Sequence, residues 1–163
     1  MNELLARVLR TLDATGVDYE IKACDPELAD TAVFCEHYGY SLHDSANTIV
    51  VKARNGSPPF VACVLLGTTR VDANQVLRKR MQARKVSFAS PEETRTITGM
   101  ELGGVTAFGL PEDLPLWVDA AVMERERIIL GSGERASKVF VPPAALLQLP
   151  ATQVVEGLAK LVG

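Results

Sequence analysis

The sequence predicts a mixed α+β fold built as one domain over residues 1–163. Three observations predict it: short apolar runs typical of strands, apolar residues at helical spacing, and no regular strand–helix alternation of the kind that a parallel sheet requires. The chain has 163 residues, of which 47% are hydrophobic and 23% are charged. This composition is close to the average for a globular domain and supplies enough apolar residues for one core.

Helices are predicted where apolar spacing coincides with capping residues. Ser90 and Glu93 form a capping box with Pro91 at the first helical position. Asp30 and Asp72 are placed to cap two further helices, the second of them basic. The predicted helices cover residues 2–15, 31–38, 72–81, 91–98, 143–149 and 152–161.

Strands are predicted from short runs that are apolar or that alternate between apolar and polar residues. The longest is 60–66, and a turn containing Asn55 and Gly56 joins it to the apolar run before it. We expect these two strands to be neighbours in one sheet. The predicted strands cover residues 17–21, 48–51, 60–66, 86–88, 116–118, 128–130 and 138–141.

Composition and motifs argue against several functional classes. No apolar run approaches the length of a bilayer and the amino terminus carries acids, so we expect a cytoplasmic protein with no membrane segment. His37 and His43 lack metal-ligand spacing, and the common motifs for zinc, nucleotide phosphates and a serine nucleophile do not occur. The cysteines, Cys24, Cys35 and Cys63, include no CxxC pair. We therefore expect no metal and no cofactor.

Charge is distributed unevenly along the chain. The formal net charge is −3, yet the stretch from Arg70 to Lys85 is rich in cations and holds a single acid, Asp72. A local basic patch attracts a phosphate backbone even on a mildly acidic protein. The same charges are also typical of a solvated helix face. RNA binding and a solvated face therefore both stay open.

Two glycine-rich segments are the strongest candidates for a functional site. Residues 98–110 contain Gly99, Gly103, Gly104 and Gly109, and residues 131–135 form a second flexible segment after a strand. Backbone amides in such loops can form a concave donor surface for an anion or an oxyanion. The alternative is a tight connection between a helix and a strand, which the glycine count alone favours.

Four segments together resemble the YbaK/EbsC family, also called the prolyl-tRNA-synthetase-associated editing domain. They are 46–52 (ANTIVVK), 70–72 (RVD), 98–110 and 131–135 (GSGER), in the order that the family has them. The TG-x-x-x-GG-V-x-x-x-G-L pattern of 98–110 is highly specific, whereas the other three segments are weak by themselves. The resemblance runs from about residue 17 to residue 150.

The resemblance implies a largely antiparallel, barrel-like sheet surrounded by helices. It also implies a deacylase that acts in trans and hydrolyses the ester of a mischarged tRNA, with tRNA-Pro as one candidate. The implied partners are aminoacyl-tRNA and an aminoacyl-tRNA synthetase. The backbone amides of Gly103 and Gly104 are the expected oxyanion donors. The candidate substrate-binding residues are Thr48, Arg70, Gly109, Asp119, Ser132, Gly133 and Arg135.

Two of these candidates lie outside the glycine-rich segments. Asp119 is expected either to orient a group in the pocket or to cap the residues that follow it. Arg70 and the nearby cations suit the phosphates of the acceptor stem, if they are not simply solvated. Those nearby cations are Arg78, Lys79, Arg80 and Arg84.

One position departs from the family pattern. The lysine that characterises the family's central strand falls on Asn47, whose neutral side chain cannot reproduce a lysine's attraction for phosphate. Lys52 lies five residues further along, so we expect it on the opposite face. In one hypothesis Asn47 binds the terminal adenosine or phosphate and Lys138 supplies the catalytic cation. In the other, the domain binds tRNA or a nucleotide without hydrolysis. A third possibility is a generic small-molecule-binding protein that uses the glycine loops for an anion.

Overall fold

The structure, a computed structural model, describes residues 2–162. Its longest helix begins after Asn2, whose side chain accepts a hydrogen bond from the Leu5 N–H at 2.9 Å, and ends before Gly16. The α-helices are α1 (Glu3–Thr15), α2 (Thr31–Tyr38), α3 (Arg78–Arg80) and α4 (Pro91–Thr98). A π-helical turn covers Ala73–Leu77, and 3₁₀ turns cover Pro26–Leu28, Leu42–Asp44, Ala120–Glu124 and Pro143–Gln148.

The strands of the described chain form three sheets. They are β1 (Glu20–Ala23), β2 (Ala46–Arg54), β3 (Phe60–Leu66), β4 (Thr69–Val71), β5 (Lys85–Phe88), β6 (Leu116–Asp119), β7 (Ile128–Gly131), β8 (Ser137–Val141), β9 (Thr152–Val155) and β10 (Ala159–Leu161). The largest sheet has the order β5-β2-β3-β6-β9, with parallel pairing between β3 and β6 and between β6 and β9. The second is β1-β8-β7, which is antiparallel, and the third pairs β10 with β4.

The predicted mixed α+β class is confirmed, although the sheets do not close into a barrel. An isolated parallel bridge between Ser45 and Ile129 brings the start of β2 beside β7, so the two larger sheets are in contact at this bridge. Antiparallel pairing predominates within the three sheets, as predicted.

The apolar cores lie on both faces of β3. Val61, Cys63 and Leu65 pack against Leu77 and Trp117, while alternate residues of the strand face α1, β6, β7 and β8. A strand buried on both faces needs an uninterrupted apolar sequence, which explains the run FVACVLL.

A third apolar cluster positions α2 against β8. Phe34 and Cys35 of α2 pack on Phe140 of β8. Side chains two residues apart on a strand share one face, so Lys138 lies on the same face of β8 as Phe140 and beneath the start of α2.

The prediction for the end of the chain is wrong. Residues 152–161 are not a helix but β9 and β10, separated by a turn in which Gly157 has a φ of 69°. The apolar spacing suits a helix, but Thr152 and Val154 are β-branched, and β6 and β4 offer edges for pairing. Residues 143–148 form a 3₁₀ turn rather than the predicted α-helix.

Three smaller corrections concern element boundaries. The first strand begins at Glu20 rather than Val17, because its pairing with β8 begins there, opposite Phe140 near the end of β8. The basic helix opens as a π-helical turn after Asp72, and the short strand β4 was not predicted.

No helix within residues 2–162 combines the length and the apolar character that crossing a bilayer requires.

Candidate functional site

A cavity opens where one edge of β2 has no neighbouring strand. β5 pairs with β2 only as far as Val51, and the Ala89 N–H donates the next hydrogen bond, to the Val50 carbonyl at 2.9 Å. At the other end, Ser45 bridges to Ile129. Between these points no strand of residues 2–162 pairs with this edge. The gap holds a cavity of about 370 Å³, within the range of small-molecule sites, roughly 300–1,000 Å³.

The cavity wall combines segments that are far apart in the sequence. β2 forms one side, the start of α2 and the 98–110 loop form another, and β7, β8 and the end of β5 complete it. The polar and glycine residues among its lining are Asp30, Thr31, Ser45, Asn47, Thr48, Thr94, Gly103, Gly131 and Lys138.

Lys138 is a buried cation in this wall. Its side chain is 6% exposed, and its Nζ donates hydrogen bonds to the Ala29 carbonyl at 2.6 Å and to the Gly103 carbonyl at 3.3 Å. Burial lowers the pKa of Lys138 below its ordinary value. An ammonium group has three N–H donors, so one is left for a group in the cavity.

Asn47 lies in the same cavity, held by the start of α2. Its side-chain oxygen accepts a hydrogen bond from the Thr31 hydroxyl, and its NH₂ group has no hydrogen-bond partner within residues 2–162. This contact orients the Asn47 amide so that its donors are available to a ligand. The neutral Asn47 and the cation Lys138 thus line one space.

Thr48 contributes a buried hydroxyl that has no partner. The residue is 8% exposed, and its Oγ1 forms no hydrogen bond with any described residue. A buried polar group without a partner is rare in proteins and calls for an explanation. Thr48 is among the cavity-lining residues, but its Oγ1 is closed to solvent, so its side chain must change rotamer before a bound ligand can supply the missing hydrogen bond.

The two glycine-rich loops interlock behind the cavity. The Gly133 N–H donates to the Gly104 carbonyl at 2.7 Å, and the Glu101 N–H donates to the Gly133 carbonyl at 3.0 Å. A Cβ on Gly104 would collide with the Glu134 carbonyl, and a Cβ on Gly131 with the Gly104 carbonyl. Glycine at Gly104 and Gly131 is therefore required for close backbone packing.

This packing corrects one expectation about the oxyanion donors. The Gly104 N–H donates to the Glu101 carbonyl at 2.9 Å, so it is not free to bind an oxyanion. The N–H groups of Gly103 and Val105 form no hydrogen bond with any described residue, and both residues line the cavity. The available amides therefore flank Gly104.

Arg135 holds the wall together from behind. Its Nε donates to the Pro26 carbonyl at 2.9 Å, and its Nη1 donates to the Leu102 carbonyl at 2.9 Å and to Asp30 at 3.2 Å. The guanidinium thereby ties the start of α2 to the 98–110 loop. Arg135 does not line the cavity, so its observed contacts are those of a positioning residue.

The family of the chain follows from its sequence match. Residues 25–149 match the family described as aminoacyl-tRNA editing domain. The chain belongs to this family. The editing domain is 26% identical over 151 residues to the multifunctional Ser/Thr-tRNA deacylase ProXp-y of Escherichia coli K12, an alignment that covers 91% of this chain and 89% of the relative. It is 24% identical over 143 residues to EbsC of Enterococcus faecalis, named as a candidate Cys-tRNA(Pro)/Cys-tRNA(Cys) deacylase, with 88% and 85% of the two chains covered.

Solved structures share the fold of the editing domain. A candidate trans-editing enzyme for prolyl-tRNA synthetase superposes with a TM-score of 0.80 at 20% identity, covering 96% of this chain and 97% of that one. The hypothetical protein APE2540 superposes with a TM-score of 0.82 at 21% identity, covering 94% and 99%. The predicted fold is confirmed by these structures, and the predicted family and aminoacyl-tRNA deacylase class are confirmed by the sequence matches.

Several predicted site residues of the editing domain lie outside the cavity. Asp119 is buried behind the sheet, where its carboxylate accepts a hydrogen bond from the Ala159 N–H at 3.3 Å; it forms no side-chain capping hydrogen bond within residues 2–162, although the Ala121 backbone of the turn that follows favours its charged form. Burial raises the pKa of Asp119. Gly109 packs against Arg7 beside a separate, smaller cavity, and Arg70 is exposed on β4 opposite Lys160.

Ser132 and Gly133 also support the wall from behind. The Ser132 hydroxyl donates to the Ser137 carbonyl at 3.0 Å, and Gly133 is occupied by its contacts with the 98–110 loop. Neither residue lines the cavity. Of the residues carried over by family resemblance or proposed beside it, Asn47, Thr48, Gly103 and Lys138 are brought together in it.

The three thiols do not offer a nucleophile in this site. Burial raises the pKa of Cys24 and Cys35, and it raises the pKa of Cys63 to about 12. The thiolate is the reactive form of cysteine, so these residues stay largely protonated at neutral pH. Within residues 2–162, no group of three or more metal-binding side chains comes together either.

Sequence reasoning missed the contribution of α2 and β5. Thr31 and Ala29 position Asn47 and Lys138, and Phe88 lies at the rim, but none belongs to a motif. Their role depends on contacts between distant segments. The predicted position of Lys52 was sound: it is exposed, does not line the cavity and forms an ion pair with Glu93 at 2.9 Å.

Proposed function

We propose that this editing domain, a deacylase that acts in trans, hydrolyses tRNA esters of small amino acids that carry a hydroxyl group, namely serine and threonine. One observation carries the proposal: Lys138 and Asn47 each offer an unused hydrogen-bonding position to one cavity, and Thr48, whose hydroxyl has no partner in the described chain, is among the residues that line it. The name of the Escherichia coli relative, a Ser/Thr-tRNA deacylase, supports this choice of acyl group.

In the proposed reaction the ester carbonyl lies between Lys138 and the 98–110 loop. Water held by the free hydroxyl of the terminal ribose adds to the carbonyl carbon, and negative charge develops on the carbonyl oxygen. The third N–H of Lys138 and the free amides of Gly103 and Val105 stabilise that charge. The bond to the ribose oxygen then breaks, the ribose oxygen takes a proton, and free amino acid and intact tRNA leave.

This mechanism needs no side chain as nucleophile. An aminoacyl ester is already reactive, so holding water and ester in register while stabilising the oxyanion lowers the barrier. In this scheme Asn47 donates from its NH₂ group to the terminal nucleotide, and Lys138 supplies the cation that the family's usual lysine would bring from β2. The two tasks of one lysine are divided between two side chains.

Thr48 is the proposed reader of the acyl group. Its buried hydroxyl has no partner in the described chain, and leaving such a group unpaired costs about 1–3 kcal/mol. When the Thr48 side chain turns towards the cavity, a seryl or threonyl hydroxyl satisfies it, whereas an alanyl methyl group does not. We therefore expect the domain to prefer seryl and threonyl esters over alanyl ester.

The test is single-turnover deacylation of seryl-, threonyl-, alanyl- and cysteinyl-tRNA by the wild type and by Thr48→Val. We expect Thr48→Val to slow the seryl and threonyl reactions by roughly 5- to 150-fold, as one unpaired hydroxyl implies, and to leave the alanyl reaction unchanged. Thr106→Val is the matched control, because Thr106 is also buried and unpartnered but does not line the cavity.

Two outcomes would overturn parts of the proposal. Equal slowing of all four esters by Thr48→Val would remove Thr48 as the reader of the hydroxyl. Binding of these tRNAs by the wild type without any turnover would instead favour the non-catalytic binding module. The panel is charged on tRNA-Pro and on the cognate tRNAs, because the name of EbsC includes tRNA-Pro.

The proposed partners follow from the substrate. Aminoacyl-tRNA is the ligand of the cavity, and a synthetase that mischarges tRNA is the source of that ligand. We accordingly place the protein in the cytoplasm, where aminoacyl-tRNA is made and used.

A further inference from the structure

Phe88 is an exposed aromatic residue at the rim of the cavity. It ends β5, its side chain is 66% exposed, and it lines both the cavity and a shallow groove formed with Val51, Ala73 and Val86. A single exposed apolar side chain is ordinary on a protein surface. Phe88 differs from such a side chain because it lies beside the cavity and on a strand that begins with an exposed cation.

The sheet register places Phe88 on the same face as Asn47, four strand positions or about 13 Å along β2. Phe88 pairs directly with Val51 on β2, so their side chains share one face of the sheet. Ile49 and Asn47 follow on that face at intervals of two residues. The face thus carries a continuous strip from the cavity residue Asn47, over the half-buried Ile49, to the exposed ring of Phe88.

Cations that form no ion pair within the described chain lie at the other end of β5. Arg84 and Lys85 lead into the strand, which packs beside the π-helical turn that precedes Arg78 and Lys79. All four are exposed, and none forms an ion pair within residues 2–162. Phe88 lies three positions after Lys85, a rise of about 10 Å, and this odd offset puts the Lys85 side chain on the opposite face of β5.

Arg80 does not belong to this set. Its guanidinium stacks on the Trp117 ring at 4.7 Å and donates to Gln153 at 2.8 Å, so its contacts support the fold. The predicted basic cluster therefore divides into cations with a structural partner and cations that are free to bind an anion.

We propose that Phe88 is the stacking platform for the terminal adenine of the tRNA, and that the phosphates behind it run along β5 towards Arg84 and Lys85. This inference rests on the proposed function, because it names how the same site holds the tRNA end. The stacked base holds the terminal ribose between Phe88 and Asn47, which directs the ester towards the cavity. Every base has a π-face, so the platform binds the common end of all tRNAs.

The charge pattern selects single-stranded RNA as the occupant of this surface. Aromatic rings next to a cationic track are the usual means of binding single-stranded nucleic acid. The free 3′ end of tRNA is single-stranded, and its terminal nucleotide carries the ester that the cavity is proposed to cleave. An apolar protein partner would leave the four neighbouring cations without a counter-charge.

The test measures stacking and turnover separately. tRNA ending in the fluorescent base 2-aminopurine reports stacking by quenching, and steady-state deacylation of seryl-tRNA gives KM and kcat. We expect Phe88→Ala to abolish the quenching and to raise KM by roughly 5- to 150-fold, the loss of one base stack, with a smaller change in kcat. We expect Phe88→Trp, which keeps an aromatic ring, to retain both the quenching and the wild-type KM. Leu147→Ala, another exposed apolar residue outside the cavity, is the matched control.

The possible results separate this inference from the proposed function. If the wild type hydrolyses seryl-tRNA and Phe88→Ala leaves KM and quenching unchanged, the stacking platform is wrong and the deacylase stands. If quenching depends on Phe88 but no aminoacyl-tRNA in the panel is hydrolysed, the platform stands and the catalytic proposal fails. Restoration by Leu but not by Trp at position 88 would show apolar packing rather than stacking.

Discussion

The two walls of the cavity differ in how tightly their polar groups are held. On the inner wall, formed by α2 and β8, Lys138 is 6% exposed and hydrogen-bonded to two carbonyls, and Arg135 links the backbone segments behind it. On the outer wall, formed by the end of β5, Phe88 is 66% exposed and the cations of the same strand region form no ion pair within residues 2–162. Charge stabilisation depends on preorganised donors, whereas a long substrate needs an accessible surface. We therefore expect damage to the first wall to lower kcat and damage to the second to raise KM.

The largest effect is expected from Gly104→Val, which disrupts the packing of the two glycine-rich loops behind the inner wall. The new side chain would meet the Glu134 backbone where the two glycine loops touch, and neither backbone can move without breaking their shared hydrogen bonds. We expect loss of folded protein or a large fall in Tm, measured by thermal unfolding. Gly39→Ala is the control, because Gly39 has open space around it and only the strain of a φ of 80°. A folded Gly104→Val protein with unchanged Tm would contradict the close packing.

Lys138→Met tests the chemistry of the inner wall. Removing one oxyanion donor costs about 10²–10³ in kcat, and we expect that loss with a smaller change in KM. Lys52→Met is the matched control, because it also removes one lysine charge, but Lys52 pairs with Glu93 outside the cavity. Equal kcat for the wild type and Lys138→Met would exclude Lys138 from the reaction.

The pH dependence gives a second measure of the same residue. Burial lowers the pKa of Lys138, so the ammonium is lost as pH rises through a value below that of lysine in water. After subtraction of spontaneous hydrolysis, the enzymatic rate should fall on the alkaline side, and Lys138→Met should lack this limb. Stability should change in the opposite direction: the unfolded chain binds this proton more tightly, so the free energy of unfolding rises with pH between the folded and unfolded pKa values.

The smallest effect is expected from neutralising the outer wall. Replacing Arg84 and Lys85 together by glutamine should raise KM, leave kcat unchanged and reduce the slope of log affinity against log salt by about 0.7–0.9 per charge. Arg80→Gln is the contrast, because Arg80 is held by Trp117 and Gln153 and should lower Tm instead. A salt slope that is the same in the wild type and the double variant would remove these cations from the tRNA path.

The sequence by itself determined what depends on neighbours along the chain. The capping box of Ser90 and Glu93 predicted α4 with its bounds, and the apolar run Phe60–Leu66 predicted β3. The glycine spacing of residues 98–110 pointed to the family that the sequence match shows: Gly104 passes close to another backbone, and Gly99, Gly103 and Gly109 have a positive φ. These signals are local: each is contained in a dozen residues.

Only the tertiary structure decided which residues meet. Residues 152–161 have helical spacing but became β9 and β10, because the edges of β6 and β4 were free to pair. The Gly104 amide was bonded to Glu101, which left the amides of Gly103 and Val105 for the cavity. Lys138, Thr31 and Phe88 belong to no common motif, and the cavity joins them because, within the described chain, β5 pairs with only part of one edge of β2. Such contacts depend on how distant segments pair and pack, which periodicity and capping do not encode.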